Sequence, residues 1–112
     1  YGVTEQPEFL NGMIKLKTLL NPEELLELLH QIEKESGRER LVHWGPRTLD
    51  LDIIFYDDCI IDTKDLQIPH IDMQNREFVL KPLVELAPYV RHPLLHKTVT
   101  QLLDELKVVD KV

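Results

Sequence analysis

The strongest constraint on the fold of this chain is a helix signal that begins at Asn21. Asn21 is a favoured N-cap residue, Pro22 suits the first helical position, and Glu24 stands where a capping box places an acid. Apolar residues then recur at helical spacing: Leu25, Leu28, Leu29 and Ile32. Gly37 is expected to end the helix. The sequence therefore predicts an amphipathic helix over 21–37 that must pack its apolar side against a partner.

Alternating patterns predict strands on both sides of this helix. We expect strands over 8–18 and 49–56, and a turn at Asp57-Asp58 that leads into a short returning strand over 59–61. Leu66 and Ile68 alternate in another extended piece that ends at Pro69. Interspersed strands and helices of this kind are typical of an α+β fold with an antiparallel sheet.

Two further helices are predicted in the second half of the chain. The first covers 77–87, where Pro82 is expected to bend or delay it. The second covers 98–107, and Thr98 with Gln101 forms a capping box at its start. The 112 residues fit one domain, 1–112.

The overall charge and the single cysteine limit the environment and the partners. A net charge of −7 disfavours nonspecific binding to nucleic acid. No apolar run approaches the roughly 20 residues of a membrane span. Cys59 has no second cysteine to pair with, which fits a reducing compartment, and a cytoplasmic location is expected.

Asp50 and Asp52 are the first candidates for chemistry. They lie two residues apart in the expected strand and so share one face of it, while the intervening apolar residues share the other. Two carboxylates about 7 Å apart repel each other unless a cation lies between them. Magnesium often binds one or two carboxylates together with substrate phosphates. The pair indicates a magnesium site, and a solvated strand face is the alternative.

Arginines cluster around these acids. Four of the five arginines lie between positions 38 and 76: Arg38, Arg40, Arg47 and Arg76. Arginine binds phosphate oxygens in a forked geometry, so this cluster favours a small polyanion such as a nucleoside triphosphate. His70 could donate to the same anion, and Glu33 lies at the end of the first helix beside the first arginine. Ion pairs with the 20 acidic residues are the alternative for the arginines, and a helix-terminal salt bridge to Lys34 or an arginine is the alternative for Glu33.

Aromatic and amide side chains near these residues are suited to a flat heterocycle. Trp44 lies in a polar loop, where stacking on a ligand or closing a lid competes with core packing. Phe9 and Asn11 share one face of the expected strand over 8–18, so the ring could stack while the amide pairs with ring nitrogens and oxygens. Phe78 could supply a second wall. Core packing is the alternative for both phenylalanines.

Together these motifs resemble the 6-hydroxymethyl-7,8-dihydropterin pyrophosphokinase family of folate biosynthesis. The matching segments are 2–11, 32–33 with 37–40, 44–52, and 68–70 with 76–80. The most specific of them is Trp-Gly-Pro-Arg-Thr-Leu-Asp-Leu-Asp at 44–52. The resemblance covers most of residues 2–90.

The resemblance implies an enzyme that transfers pyrophosphate from ATP to the hydroxymethyl group of the pterin and releases AMP. It implies two Mg2+ ions held by Asp50 and Asp52. The implied catalytic residues are Arg38, Arg47, Asp50 and Asp52. The implied ATP-binding residues are Glu33, Arg38, Arg40, Arg47, His70 and Arg76. The implied pterin-binding residues are Phe9, Asn11, Trp44 and Phe78.

The fold implied by the resemblance is a ferredoxin-like three-layer α+β sandwich with a mostly antiparallel sheet. Because the family begins with a further strand and helix, residues 1–112 are expected to form one pyrophosphokinase domain that is incomplete at its N-terminus. The expected partners are ATP and the pterin, without nucleic acid or membrane. A monomer is expected for the family, and an exposed sheet edge could drive association of this chain.

Two other functions remain open from the residues. One is an inactive fragment that keeps only part of the nucleotide and pterin site. The other is a different Asp-x-Asp enzyme, such as a nucleotidyltransferase, for which Phe9, Asn11 and Phe78 would be incidental.

Overall fold

Three α-helices, a two-stranded sheet and a short 3-10 helix form the regular structure of this computed structural model, which describes residues 11–40 and 49–111. The side chains of residues 38–40 and 109–111 lie outside that description. In chain order the elements are α1 (Pro22–Arg40), β1 (Ile61–Asp62), β2 (Gln67–Ile68), the 3-10 helix (Met73–Asn75), α2 (Glu77–Leu86) and α3 (Val99–Lys111). The expected α+β class is confirmed.

Helix α1 begins as the sequence predicts but runs further. The side chain of Asn21 accepts a hydrogen bond from the N–H of Glu24 at 2.8 Å, and the Glu24 carboxylate accepts one from the N–H of Asn21 at 2.9 Å. The expected stop at Gly37 is wrong, because the helix continues to Arg40. One glycine destabilises a helix by about 1 kcal/mol relative to alanine. The neighbouring arginine and glutamate residues are good helix formers, so the helix continues past Gly37.

Two apolar clusters form the core. The α1 cluster contains Leu25, Ile53, Leu66 and Ile68, with Leu20, Leu26, Leu29, Tyr56 and Ile61 packed against it. The α2–α3 cluster contains Met73, Leu80, Leu83, Val99, Leu102 and Leu103, with Met13, Ile54, Phe55, Val79, Val84, Val90 and Leu106 packed against it. Residues 53–56 contribute to both clusters. Helices therefore cover this segment from both sides.

The sheet pairs β1 with β2, not with the residues before the turn. Asp57-Asp58 does form the expected turn, in which the N–H of Cys59 donates to the carbonyl of Tyr56 at 3.0 Å. The expected returning strand over 59–61 lies slightly later, and its antiparallel partner is β2, with Ile61 opposite Ile68. The expected hairpin with 49–56 is therefore wrong.

Two expected strands are absent from the described residues. Residues 11–18 form no strand there, and Ile14 and Leu16 are 75% and 54% exposed. Met13 packs against the α2–α3 cluster instead. Residues 49–56 also form no strand, although the N–H of His70 donates to the carbonyl of Ile54 at 2.9 Å. A strand assignment requires a repeating ladder with a neighbour, and alternation along one segment does not supply that neighbour.

Helices α2 and α3 confirm the two helices expected in the second half of the chain. Pro82 does not delay α2, which begins at Glu77, and α3 continues to Lys111, beyond the expected end at 107. Pro82 lies inside α2, and Leu80 and Leu83 are its buried residues. At the start of α3, the N–H of Gln101 donates to the Thr98 hydroxyl at 3.2 Å, and the Gln101 side chain accepts from the N–H of Thr98 at 2.8 Å. Within the described ranges, no helix has both the length and the apolar character needed to cross a bilayer.

Candidate functional site

The segment that carries Asp50 and Asp52 is anchored by the residues that follow it. Ile53 is only 8% exposed, Leu51 is half-buried, and both aspartates are exposed. Leu49, which shares the expected strand face of Leu51 and Ile53, is 41% exposed and does not enter the core with Ile53. The two carboxylates are thus presented to solvent from a segment that Ile53 anchors in the core.

Helix α1 meets this segment through two hydrogen bonds. One Glu33 carboxylate oxygen accepts the N–H of Leu51 at 2.6 Å. The Tyr56 hydroxyl donates to the carbonyl of Leu20, just before α1 begins. Between these contacts, α1 leucines pack with Ile53 in the α1 cluster. Glu33 therefore touches the backbone between the two acids. It lies within α1 and not at the expected helix end, because the helix continues to Arg40.

His70 lies on the other side of Asp52. Its ring nitrogen Nε2 is 4.0 Å from Oδ2 of Asp52. Its other ring nitrogen, Nδ1, is 3.0 Å from the carbonyl oxygen of Ile71. A carbonyl can only accept, so Nδ1 carries a proton and Nε2 faces the aspartate. When the ring is neutral, Nε2 is an acceptor, and when it is protonated, Nε2 is a second donor.

Arg76 and Phe78 lie one short turn beyond His70. The 3-10 helix links them, because the N–H of Met73 donates to the carbonyl of His70 at 3.4 Å and the N–H of Arg76 donates to that of Met73 at 3.1 Å. Met73 is fully buried and anchors this connection. The Arg76 guanidinium lies 5.9 Å from the centroid of the Phe78 ring. Phe78 is 46% exposed, so core packing, the alternative to a ligand-binding role, is wrong for this residue.

The structure gives less detail for the remaining candidate site residues. Asn11 is exposed. Arg38 and Arg40 lie in the last turn of α1, not in a loop, and their side chains fall outside the described residues. Phe9, Trp44 and Arg47 also lie outside the described residues. Their roles stay predictions from the sequence.

The donor chemistry of the aspartate pair fits magnesium. Both side chains are exposed carboxylates two residues apart in one segment. In residues 11–40 and 49–111, no group of three or more His, Cys, Asp and Glu side chains converges to hold a metal ion. Magnesium retains water and shares substrate phosphates, so one or two carboxylates suffice for it.

His92, to which the sequence assigned no role, is a buried structural residue. It is 4% exposed, and its ring lies edge-on to Phe55 with centroids 5.9 Å apart. Its Nδ1 accepts the N–H groups of Leu94 at 3.2 Å and Leu95 at 3.1 Å. Burial, with a smaller contribution from the charge of His96, lowers the pKa of His92 below its ordinary value. A histidine followed by Pro and two apolar residues was the only signal for this turn.

Known proteins match most of this chain. A sequence model of 7,8-dihydro-6-hydroxymethylpterin-pyrophosphokinase matches residues 2–88. The 2-amino-4-hydroxy-6-hydroxymethyldihydropteridine pyrophosphokinase of Synechocystis is 50% identical over 101 residues, which is 90% of this chain and 52% of that protein. The protein of the same name from Haemophilus influenzae is 52% identical over 86 residues, 77% of this chain and 54% of that protein.

A longer protein carries a similar region. The folic acid synthesis protein fol1 of Schizosaccharomyces pombe is 45% identical over 102 residues, 91% of this chain and 14% of that protein. This chain spans about half the length of the Synechocystis and Haemophilus relatives. The family match itself covers well over half of this chain. The chain belongs to the 7,8-dihydro-6-hydroxymethylpterin-pyrophosphokinase family.

Proposed function

We propose that this protein transfers a pyrophosphoryl group from ATP to the hydroxymethyl group of 6-hydroxymethyl-7,8-dihydropterin and releases AMP. Family membership supports the reaction, and one structural observation carries it. The two exposed aspartates lie on a segment that Glu33 contacts from one side, and His70 lies beside Asp52. Acids for a metal and, when the His70 ring is protonated, a donor for a phosphate thus occupy one surface, as phosphoryl transfer requires.

The charged residues of this surface would have different roles in the reaction. Asp50 and Asp52 would hold magnesium, for which we expect two ions, and bound magnesium would offset phosphate charge. His70 and Arg76 would contact the phosphates of ATP, and Glu33 belongs to the same site through Leu51. Transfer of this kind needs positioning and charge stabilisation more than a covalent nucleophile.

Residues outside the described contacts complete the proposal. Arg38, Arg40 and Arg47 would bind the phosphates, with Arg38 and Arg47 stabilising charge on the transferred group. The pterin would bind among aromatic and amide side chains: Phe9, Asn11, Trp44 and Phe78. The described contact between Arg76 and Phe78 supports neighbouring nucleotide and pterin sites.

The same proposal extends to the fold, the oligomeric state and the cellular location. Helix packing on both sides of residues 53–56 supports a ferredoxin-like three-layer sandwich, and the shared segment supports one domain. We propose a monomer that works in the cytoplasm, and the single cysteine, Cys59, supports a reducing compartment.

Product analysis tests the reaction. The purified protein is incubated with ATP, Mg2+ and hydroxymethyldihydropterin, and AMP is measured with each component omitted in turn. AMP that depends on all three is expected. In parallel, the melting temperature is measured with and without a nonhydrolysable ATP analogue plus Mg2+, because a bound ligand raises it. A protein that binds neither ATP analogue nor pterin would refute the proposal. Binding without AMP would instead favour a ligand-binding domain.

Substitutions then test the aspartates. Asp50→Asn and Asp52→Asn keep the side-chain shape and remove the charge, so turnover is expected to be lost while pterin binding is retained. Asp58→Asn is the matched control, because Asp58 is an exposed acid in the following turn. Full activity in the Asp50→Asn, Asp52→Asn double variant would exclude the metal role.

A further inference from the structure

The side chain of Glu33 forms a hydrogen bond to the backbone of the segment that carries the two aspartates. Its carboxylate oxygen accepts the N–H of Leu51 at 2.6 Å, and that N–H belongs to the peptide that joins Asp50 to Leu51. The side chain is half-buried, so solvent competes weakly for the contact. Glu33 therefore acts directly on the peptide between the two proposed magnesium ligands.

The packing of α1 explains why this carboxylate reaches Leu51. Glu33 lies one helical turn after Leu29, which packs in the α1 cluster with Ile53. Leu51 lies two residues before Ile53 in the segment. One turn further along α1, from Leu29 to Glu33, therefore corresponds to two residues earlier in the segment, from Ile53 to Leu51. Helix α1 and the segment run in opposite directions, which places Glu33 at Leu51.

A second hydrogen bond fixes the other end of the same contact. The Tyr56 hydroxyl donates to the carbonyl of Leu20, next to the start of α1. Glu33 lies eleven residues after Pro22, a helical rise of about 17 Å, so the two bonds lie at opposite ends of the contact. Only the Glu33 bond adjoins the aspartates.

We propose that Glu33 is a positioning residue whose hydrogen bond to Leu51 sets the orientation in which Asp50 and Asp52 meet a divalent ion. The inference rests on the proposed function and deepens it. Because rotation of the Asp50–Leu51 peptide would swing the Asp50 side chain, an acceptor at Glu33 keeps the two carboxylates together. The role requires an acceptor oxygen and does not require a negative charge.

Two substitutions at Glu33 separate these properties. Glu33→Gln keeps an acceptor oxygen and removes the charge, while Glu33→Ala removes both. In Glu33→Ala, hydrogen exchange of the Leu51 amide should accelerate about tenfold. Its kcat should fall roughly 10- to 100-fold, as for other residues that orient metal ligands, with a smaller change in KM for ATP. Glu33→Gln should restore both quantities to near the wild-type values.

Two control variants distinguish positioning from general stability. Tyr56→Phe removes the other hydrogen bond between α1 and the segment, so it should lower the free energy of unfolding while kcat is retained. Glu35→Gln removes an exposed charge from the same helix and should leave Leu51 exchange and kcat unchanged. A loss of kcat in Tyr56→Phe equal to that in Glu33→Ala would overturn the positioning role.

Binding of Mn2+ supplies a readout that does not need turnover. Mn2+ is titrated in the presence of a nonhydrolysable ATP analogue; weaker binding in Glu33→Ala with recovery in Glu33→Gln is expected. If the wild type makes no AMP, the proposed reaction fails, while Leu51 exchange and Mn2+ affinity still decide the role of Glu33. Glu33→Gln as defective as Glu33→Ala would overturn the inference, because the charge would then act directly. Unchanged Leu51 exchange in Glu33→Ala, or no Mn2+ binding by the wild type, would also overturn it.

Discussion

Nε2 of His70 lies 4.0 Å from Oδ2 of Asp52, and the N–H of the same histidine donates to the carbonyl of Ile54 at 2.9 Å. One residue therefore contacts the aspartate segment twice, through its ring and through its backbone. The backbone bond holds the chain in place, while the ring remains partly exposed and available to a ligand. Substitution of the side chain can separate these two contacts.

We expect His70→Ala to weaken binding of the ATP analogue about tenfold or more, because a hydrogen bond to a charged phosphate is lost. Alanine keeps the N–H that bonds Ile54, so the free energy of unfolding should change by less than about 1 kcal/mol. Calorimetric titration measures the affinity in the presence of Mg2+. His30→Ala, an exposed histidine on α1, is the control. Equal affinity in His70→Ala and wild type would remove His70 from the nucleotide site.

Protein stability should fall as the pH drops below the ordinary histidine pKa of 6.5. Burial lowers the pKa of folded His92, so the unfolded chain binds its proton more readily, and acid favours unfolding. Protonation of Nδ1 would also remove the acceptor for Leu94 and Leu95.

Urea unfolding at pH 7.5 and 5.5 measures this effect. His92→Asn should flatten the difference between the two pH values, whereas His30→Asn should preserve it. An equal pH dependence in wild type and His92→Asn would show that other groups are responsible.

Thr98→Ala should lower the free energy of unfolding by about 1 kcal/mol, because the capping box at the start of α3 loses its hydroxyl acceptor. Thr98→Ser keeps that acceptor and should retain most of the stability. Urea unfolding compares the three proteins. Similar losses in the serine and alanine variants would point to packing of the threonine methyl group instead of capping.

Leu80→Ala should destabilise the protein by about 2–5 kcal/mol, because it opens a cavity in the α2–α3 cluster. Leu80 is 0% exposed, whereas Leu86 on the same helix is 41% exposed. Leu86→Ala is therefore the matched control, with an expected change below about 1 kcal/mol. Equal effects at the two positions in urea unfolding would contradict the described packing of α2.

Local signals in the sequence predicted the helices well. Capping boxes at Asn21 and Thr98 are formed by residues three apart, so they depend on little beyond the helix that they start. The same locality made the Asp57-Asp58 turn and helix α2 predictable. The prediction that Gly37 ends α1 was wrong, because the small free-energy cost of one glycine does not decide where a helix of good helix formers ends.

Strands were predicted less well, because alternation describes one segment and a sheet needs two. Residues 11–18 and 49–56 alternate in sequence, yet neither forms a strand in the described part of the chain. Strands β1 and β2 are two residues long each and pair with each other. These two strands form a short hairpin, so their pairing depends on the turn between Asp62 and Gln67 and not on alternation within either strand.

By itself, the sequence determined the family motif, and it predicted a site that contains the two aspartates, Glu33, His70 and Arg76. Only the tertiary structure decided that Glu33 accepts the N–H of Leu51 and that His70 faces Asp52. Residue type specifies what a side chain can bind, but contacts between distant segments depend on how helices and loops pack. The leucine stripe of α1 supplied that packing and brought Glu33 to the aspartates.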